Sequence, residues 1–91
     1  MTIQISKFGE VLISRPAGKE AFLAAKAYAL PKDGTSIEKI SLDFSGVKVL
    51  SPSWADEFIS GIKSNYTDNI SYLNTENPSV KQTLKTLNGA A

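Results

Sequence analysis

Residues 42–58 read LDFSGVKVLSPSWADEF, and the fold turns on how this stretch is divided. Its first part reads as a strand entering a core. Ile40, Leu42 and Phe44 fall on alternate positions, so they share one face of an extended chain. A central strand is therefore predicted over Glu38 to Phe44. Ser45 and Gly46 mark a bend, and Val47 to Leu50 resumes the extended chain. At Ser51-Pro52-Ser53 the period changes. Ala55, Phe58, Ile59, Ile62 and Tyr66 follow at i, i+3, i+4, i+7 and i+11, one apolar stripe of a helix.

Upstream, TIQIS alternates Ile3 and Ile5 with polar residues, and EVLIS is rich in β-formers, so each reads as a strand. With Gly9 between them, a hairpin around Lys7 to Gly9 is expected. A helix follows from the Ser14 cap, with Pro16 in its first turn and Ala17, Ala21, Ala25 and Tyr28 at helical spacing. Pro31 and Gly34 are expected to stop it, and PKDGTS is read as a surface loop. Downstream, ISYL reads as a short strand. Asn77-Pro78 is an N-cap followed by N1, Val80, Leu84 and Leu87 form an inward stripe, and Asn88-Gly89 ends the last helix. The expected order is β-β-α-β-α-β-α: a single α/β domain over residues 1–91, with a mixed sheet of about four strands and about three helices. The N-terminal hairpin would supply the antiparallel pair.

The totals exclude much chemistry. The chain has 91 residues, 42% hydrophobic and 21% charged, an ordinary globular mixture. Ten basic and nine acidic residues give a net charge of +1, so no broad field favours nucleic acid or an anionic membrane. There is no cysteine and no histidine. Disulfides, the usual zinc ligands and imidazole-based nucleophilic catalysis are thereby excluded. No cofactor or metal is expected. No signal peptide or membrane-length apolar run is read in the sequence, and a cytoplasmic location is the expectation.

The junction at residues 51–57 gathers the candidate site residues. Pro52 favours N1, which makes Ser51 the N-cap; alternatively Ser53 caps and Asp56 closes a capping box. The serine that is not the cap sits at the positive end of the helix dipole, where a phosphate is accommodated. Asp56 and Glu57 suit the dipole in the first turns. With Phe58 and Ile62 inward, Asp56 lies on the flank and Glu57 points outward. Arg15, at another strand-to-helix junction, is the expected partner of Asp56 in a structural ion pair. Trp54 either seals the sheet edge or anchors a partner. Asp43 sits late in its strand like the phosphoacceptor of a receiver domain, but the chain has too few elements for that fold.

VLISRPAGKEAFLAA, IEKISLDFSGVKVLSPSWADEF and NPSV together resemble a family of small STAS-like domains of undefined function, over about residues 8–87. STAS denotes sulfate transporter and anti-sigma factor antagonist. The resemblance rests on Ser14-Arg15, on Leu42 to Val47, on Ser53 and on Ala55-Asp56-Glu57 together. It implies a mixed sheet flanked by helices. In the wider STAS class, a serine at the start of the second helix is phosphorylated by an ATP-using kinase of the histidine-kinase-like superfamily, and phosphate blocks binding to that kinase. Antagonist domains carry Asp-Ser-Ser-Gly at this junction. Here Ser51 takes the place of the Asp, Pro52 that of the usual phosphoserine, Ser53 that of the second serine and Trp54 that of the glycine.

The resulting expectation is a non-catalytic, regulatory protein-interaction module. Its partner surface would comprise Ser51, Ser53, Trp54, Asp56 and Glu57, with Ser53 as the phosphorylation site. The partner would be an ATP-binding, kinase-like protein, and neither nucleic acid nor membrane is expected to bind. A structural subunit of a larger assembly, or a small enzyme built on an Arg15/Asp56 cluster, are the alternative readings. The oligomeric state is left open by the sequence.

Overall fold

A computed structural model describes residues 1–31 and 38–88. It is a small α/β fold with three helices. In chain order the elements are β1 (Thr2–Gln4), a 3-10 turn (Ile5–Phe8), β2 (Val11–Leu12), α1 (Arg15–Tyr28), β3 (Ile40–Asp43), β4 (Val49–Leu50), α2 (Pro52–Asn65), β5 (Ile70–Leu73) and α3 (Pro78–Leu87). Gly34, Gly89 and the PKDGTS loop beyond Pro31 lie outside the described residues.

The expected N-terminal hairpin is overturned. β1 pairs in parallel with β3, and β2 in parallel with β4. Five short strands form two sheets, ordered β1-β3-β5 and β2-β4, and each of these pairings is parallel. The chain alternates between the sheets. β1, a bend, β2 and α1 are followed by β3, a bend, β4 and α2. The bends fall at Gly9 (φ 135°) and Gly46 (φ 87°), left-handed geometry that favours glycine. Ile5, read as part of the first strand, instead enters the 3-10 turn and is fully buried.

Register explains which side is covered. Ile3, Leu42 and Tyr72 align in one row, and Ile40 aligns with Ile70; these face the core. Thr2, Gln4, Ser41, Asp43 and Ser71 occupy the opposite, polar face. In the smaller sheet Leu12 pairs with Leu50 inward, while Val11 pairs with Val49 outward and both are exposed.

Each helix starts on a side-chain cap. Ser14 Oγ accepts from the Ala17 N–H, Ser51 Oγ from the Trp54 N–H, and Asn77 Oδ1 from the Ser79 and Val80 N–H groups. Pro52 and Pro78 take N1, where no amide hydrogen is needed. α3 is pinned to β4 through Leu50. Its carbonyl accepts from Ser79 Oγ (3.2 Å) and Thr83 Oγ1 (2.5 Å), and its N–H donates to Ser79 Oγ (2.9 Å).

The inward stripe of α1 is rotated from the expected one. Gly18, Ala21, Phe22 and Ala25 are buried, whereas Ala17 is exposed and Tyr28 is 91% exposed. The cause is the close approach of α2. A β-carbon on Gly18 would lie 2.5 Å from the Trp54 carbonyl oxygen and 2.9 Å from its Cα. Reciprocally, a β-carbon on Gly61 of α2 would lie 2.7–2.9 Å from three ring carbons of Phe22. Phe22 meets Phe58 edge-on at 6.3 Å, and Phe58 stacks on Trp54 at 5.2 Å.

Gly to Ala inside an exposed helix stabilises by about 0.5–1 kcal/mol. Gly18→Ala and Gly61→Ala should reverse that sign, each destabilising by roughly 1–3 kcal/mol through overpacking. Urea denaturation measures both, and either variant proving more stable than wild type would contradict the contact described.

Candidate functional site: the rim at the start of α1 and α2

Because β2 and β4 run parallel, their carboxyl ends meet at one end of the molecule, and α1 and α2 both start there. Ser51 resolves the capping alternatives in its own favour. Its hydroxyl accepts from the Trp54 N–H at 3.2 Å and donates to the Ile13 carbonyl at 2.6 Å. It therefore caps α2 and ties the α2 start to the segment leading into α1. The Ser53–Asp56 capping box does not form, since Ser53 lies inside the helix.

Ser53 is half-buried, and its hydroxyl makes no hydrogen bond among the described residues. Asp56 and Glu57 lie three and four residues further on, so they neighbour Ser53 on the helix surface.

Arg15 reaches across from α1. Its Nη1 donates to Asp56 Oδ2 at 2.9 Å and to Glu57 Oε2 at 3.0 Å. Ser60 Oγ donates to the other oxygen, Asp56 Oδ1, at 3.2 Å. The Arg15–Asp56 pair joins the two junctions. Glu57, expected to point outward, is also drawn in: consecutive helical side chains diverge by about 100°, and the arginine lies between them. Side-chain exposures of 52% for Arg15, 44% for Asp56 and 30% for Glu57 leave the trio open to water. The Arg15 bond, with help from Ser60, holds the Asp56 carboxyl below its ordinary range despite slight desolvation.

Trp54 is 2% exposed. Its indole faces Phe58 and Phe8 in the core, so the sealing role describes it and the anchor role does not. Helical spacing explains the difference: Trp54 and Phe58 are four residues apart and share a face, so the buried stripe begins at Trp54, one residue before Ala55. Asp43 was not placed in the candidate site, and it is structural. Its Oδ1 accepts from Asn74 Nδ2 (2.8 Å) and from the Ser45 N–H (2.9 Å), and these bonds, the Asn74 one first, lower its pKa. The link fastens the end of β3 to the end of β5. The Asp-x-Ser spacing of an Asx turn was the available signal. Among the described residues no cluster of histidine, cysteine or acidic side chains is arranged to hold a metal, and no helix is long and apolar enough to cross a membrane.

Two predictions follow from the unequal roles at this rim. Ser51→Ala removes a cap and a cross-link and should destabilise by about 1–2 kcal/mol, whereas Ser53→Ala should leave the denaturation midpoint nearly unchanged. For Asp56, a depressed folded pKa means its contribution is present above the unfolded value of about 3.9 and is lost as pH falls through the folded value. Wild type should therefore exceed Asp56→Asn in stability at neutral pH, and the difference should close in the acid range and shrink in high salt. A gap that persists at low pH would assign the effect to packing instead.

A family model described as a STAS-like domain of unknown function (DUF4325) matches residues 26–80, well over half of the chain. The matched span includes Ser51 to Glu57 but not Arg15. Neither the curated proteins nor the solved structures contain a match to this chain.

Proposed function

From the premise that the chain belongs to the STAS-like family of unknown function, we propose that it is a non-catalytic, regulatory interaction module that binds an ATP-dependent, kinase-like protein through the rim of α2. Ser53 is its phosphorylation site, and Asp56, Glu57 and Arg15 flank the contact. The observation that carries this reading is the Ser53 hydroxyl, half-buried and without a hydrogen bond among the described residues, in a turn where Ser51 already serves as the cap. Such a hydroxyl can accept a phosphoryl group without breaking a bond among those residues.

The electrostatics support a switch. A phosphate on Ser53 adds about two negative charges one helical turn from Asp56 and Glu57. It repels both carboxylates and competes with them for Arg15, so the surface presented to a partner changes in charge and shape. Catalysis by the same residues is poorly supported: a carboxylate held below its ordinary range by an arginine is a weak general base, and the chain has no imidazole or thiol to replace it.

Affinity capture from the native host, with wild type, Ser53→Glu and Asp56→Lys as baits, tests the reading. An ATP-binding protein recovered by wild type and lost with both variants is the expected result; equal recovery by all three removes the rim from the interface. Incubating wild type and Ser53→Ala with that protein and Mg-ATP should add one phosphate to wild type alone by intact mass. An unchanged mass would discard the switch while leaving the interaction standing.

A further inference from the structure

Beside the rim, two adjoining clefts run along one side of α1. The first, about 330 Å³, lies between β2 and α1; Phe8 and Trp54 line it, and Val11, Ile13 and Glu20 are among the rest of its lining. The second, about 260 Å³, lies between β1 and α1 and includes Lys7. Phe8 lines both, so they form one groove. β2 has β4 on one side and no strand on the other among the described residues. Glu10 and Leu12 turn their carbonyls to β4, which leaves the backbone groups of Val11 facing off the sheet. The Val11 and Ile13 side chains beside this edge are 57% and 56% exposed.

We propose that this groove receives one extended segment of a partner protein, added as a strand beside β2, with a basic side chain against Glu20 and an acidic one against Lys7. A strand in that position pairs with the free N–H and C=O of Val11. Alternate side chains then enter the cleft beneath α1, and the others continue the outward face of Val11 and Val49. Charge selects the occupant. Glu20 is the only charged residue lining the first cleft and makes no ion pair among the described residues, and Lys7 is the only charged residue lining the second. A segment with apolar residues at alternate positions and opposite charges at its two ends satisfies both.

A displayed library of random linear dodecapeptides, selected on the full chain, provides the probe. Selected peptides should converge on alternating apolar residues bounded by a basic and an acidic end. Synthesised, they should shift the backbone amide resonances of Phe8, Val11 and Leu12. Glu20→Lys and Lys7→Glu should each weaken binding by about three- to tenfold, as loss and reversal of an exposed ion pair imply. Lys19→Glu, on α1 but outside the clefts, should not, and a peptide with its end charges exchanged should regain affinity for the Glu20→Lys/Lys7→Glu double variant. Failure to select a convergent peptide, equal weakening by Lys19→Glu, or resonance shifts caused by protein concentration alone would overturn the proposal. Peptides mapping to Ser53–Glu57 would overturn it while leaving the rim reading intact.

Discussion

The two long helices touch at two glycines where a β-carbon has no room. Gly18 lies against the Trp54 backbone, and Gly61 lies under the Phe22 ring. That spacing fixes much else. It brings the start of α1 against the start of α2, which lets a single Arg15 nitrogen reach both Asp56 and Glu57. It also forces Trp54 inward onto Phe58, where the indole joins an aromatic cluster with Phe8 and Phe22. The exposed ion trio then stabilises little by itself; it reports a geometry that packing has already set.

The parallel pairing of β2 with β4 does the complementary work at the carboxyl ends of the strands. Both helices begin on the same side, and the Ser51 hydroxyl closes the gap by bonding one helix start and the segment before the other. This division of labour separates two serines only two residues apart. Ser51 is consumed by structure, and the Ser53 hydroxyl bonds to none of the described residues. A polar group so placed at a helix start is where a modification or a partner can act at low structural cost, which is why the functional reading rests on it.

Local features were legible from the residues, and distant ones were not. Ser51-Pro52 and Asn77-Pro78 announce helix starts through proline geometry and side-chain reach, both short-range effects. The Arg15–Asp56 pair could be anticipated because both residues sit at strand-to-helix junctions, which an α/β layout gathers at one end. The false hairpin had a local cause as well. Two β-rich stretches around Gly9 look like neighbours, and nothing within them shows that each has its partner some forty residues downstream, as in Thr2 with Ser41. Gly18 and Gly61 passed unread for the same reason: their meaning lies in the atoms of another helix. Glu57 joined the ion trio because the reach of arginine outweighs the divergence of adjacent helical positions.

The interleaving of strands between two sheets has a kinetic meaning. No strand can pair with its sequence neighbour, since β1 waits for β3 and β2 waits for β4. Every ladder must be closed across a helix, so chain-closure entropy is spent before any sheet contact forms. During synthesis the first strand leaves the ribosome with its backbone unpaired, and α1 is complete before that strand has anything to bond. Assembly of this small domain is thus tied to the arrival of its middle, the LDF segment, around which both flanks of the larger sheet are laid down.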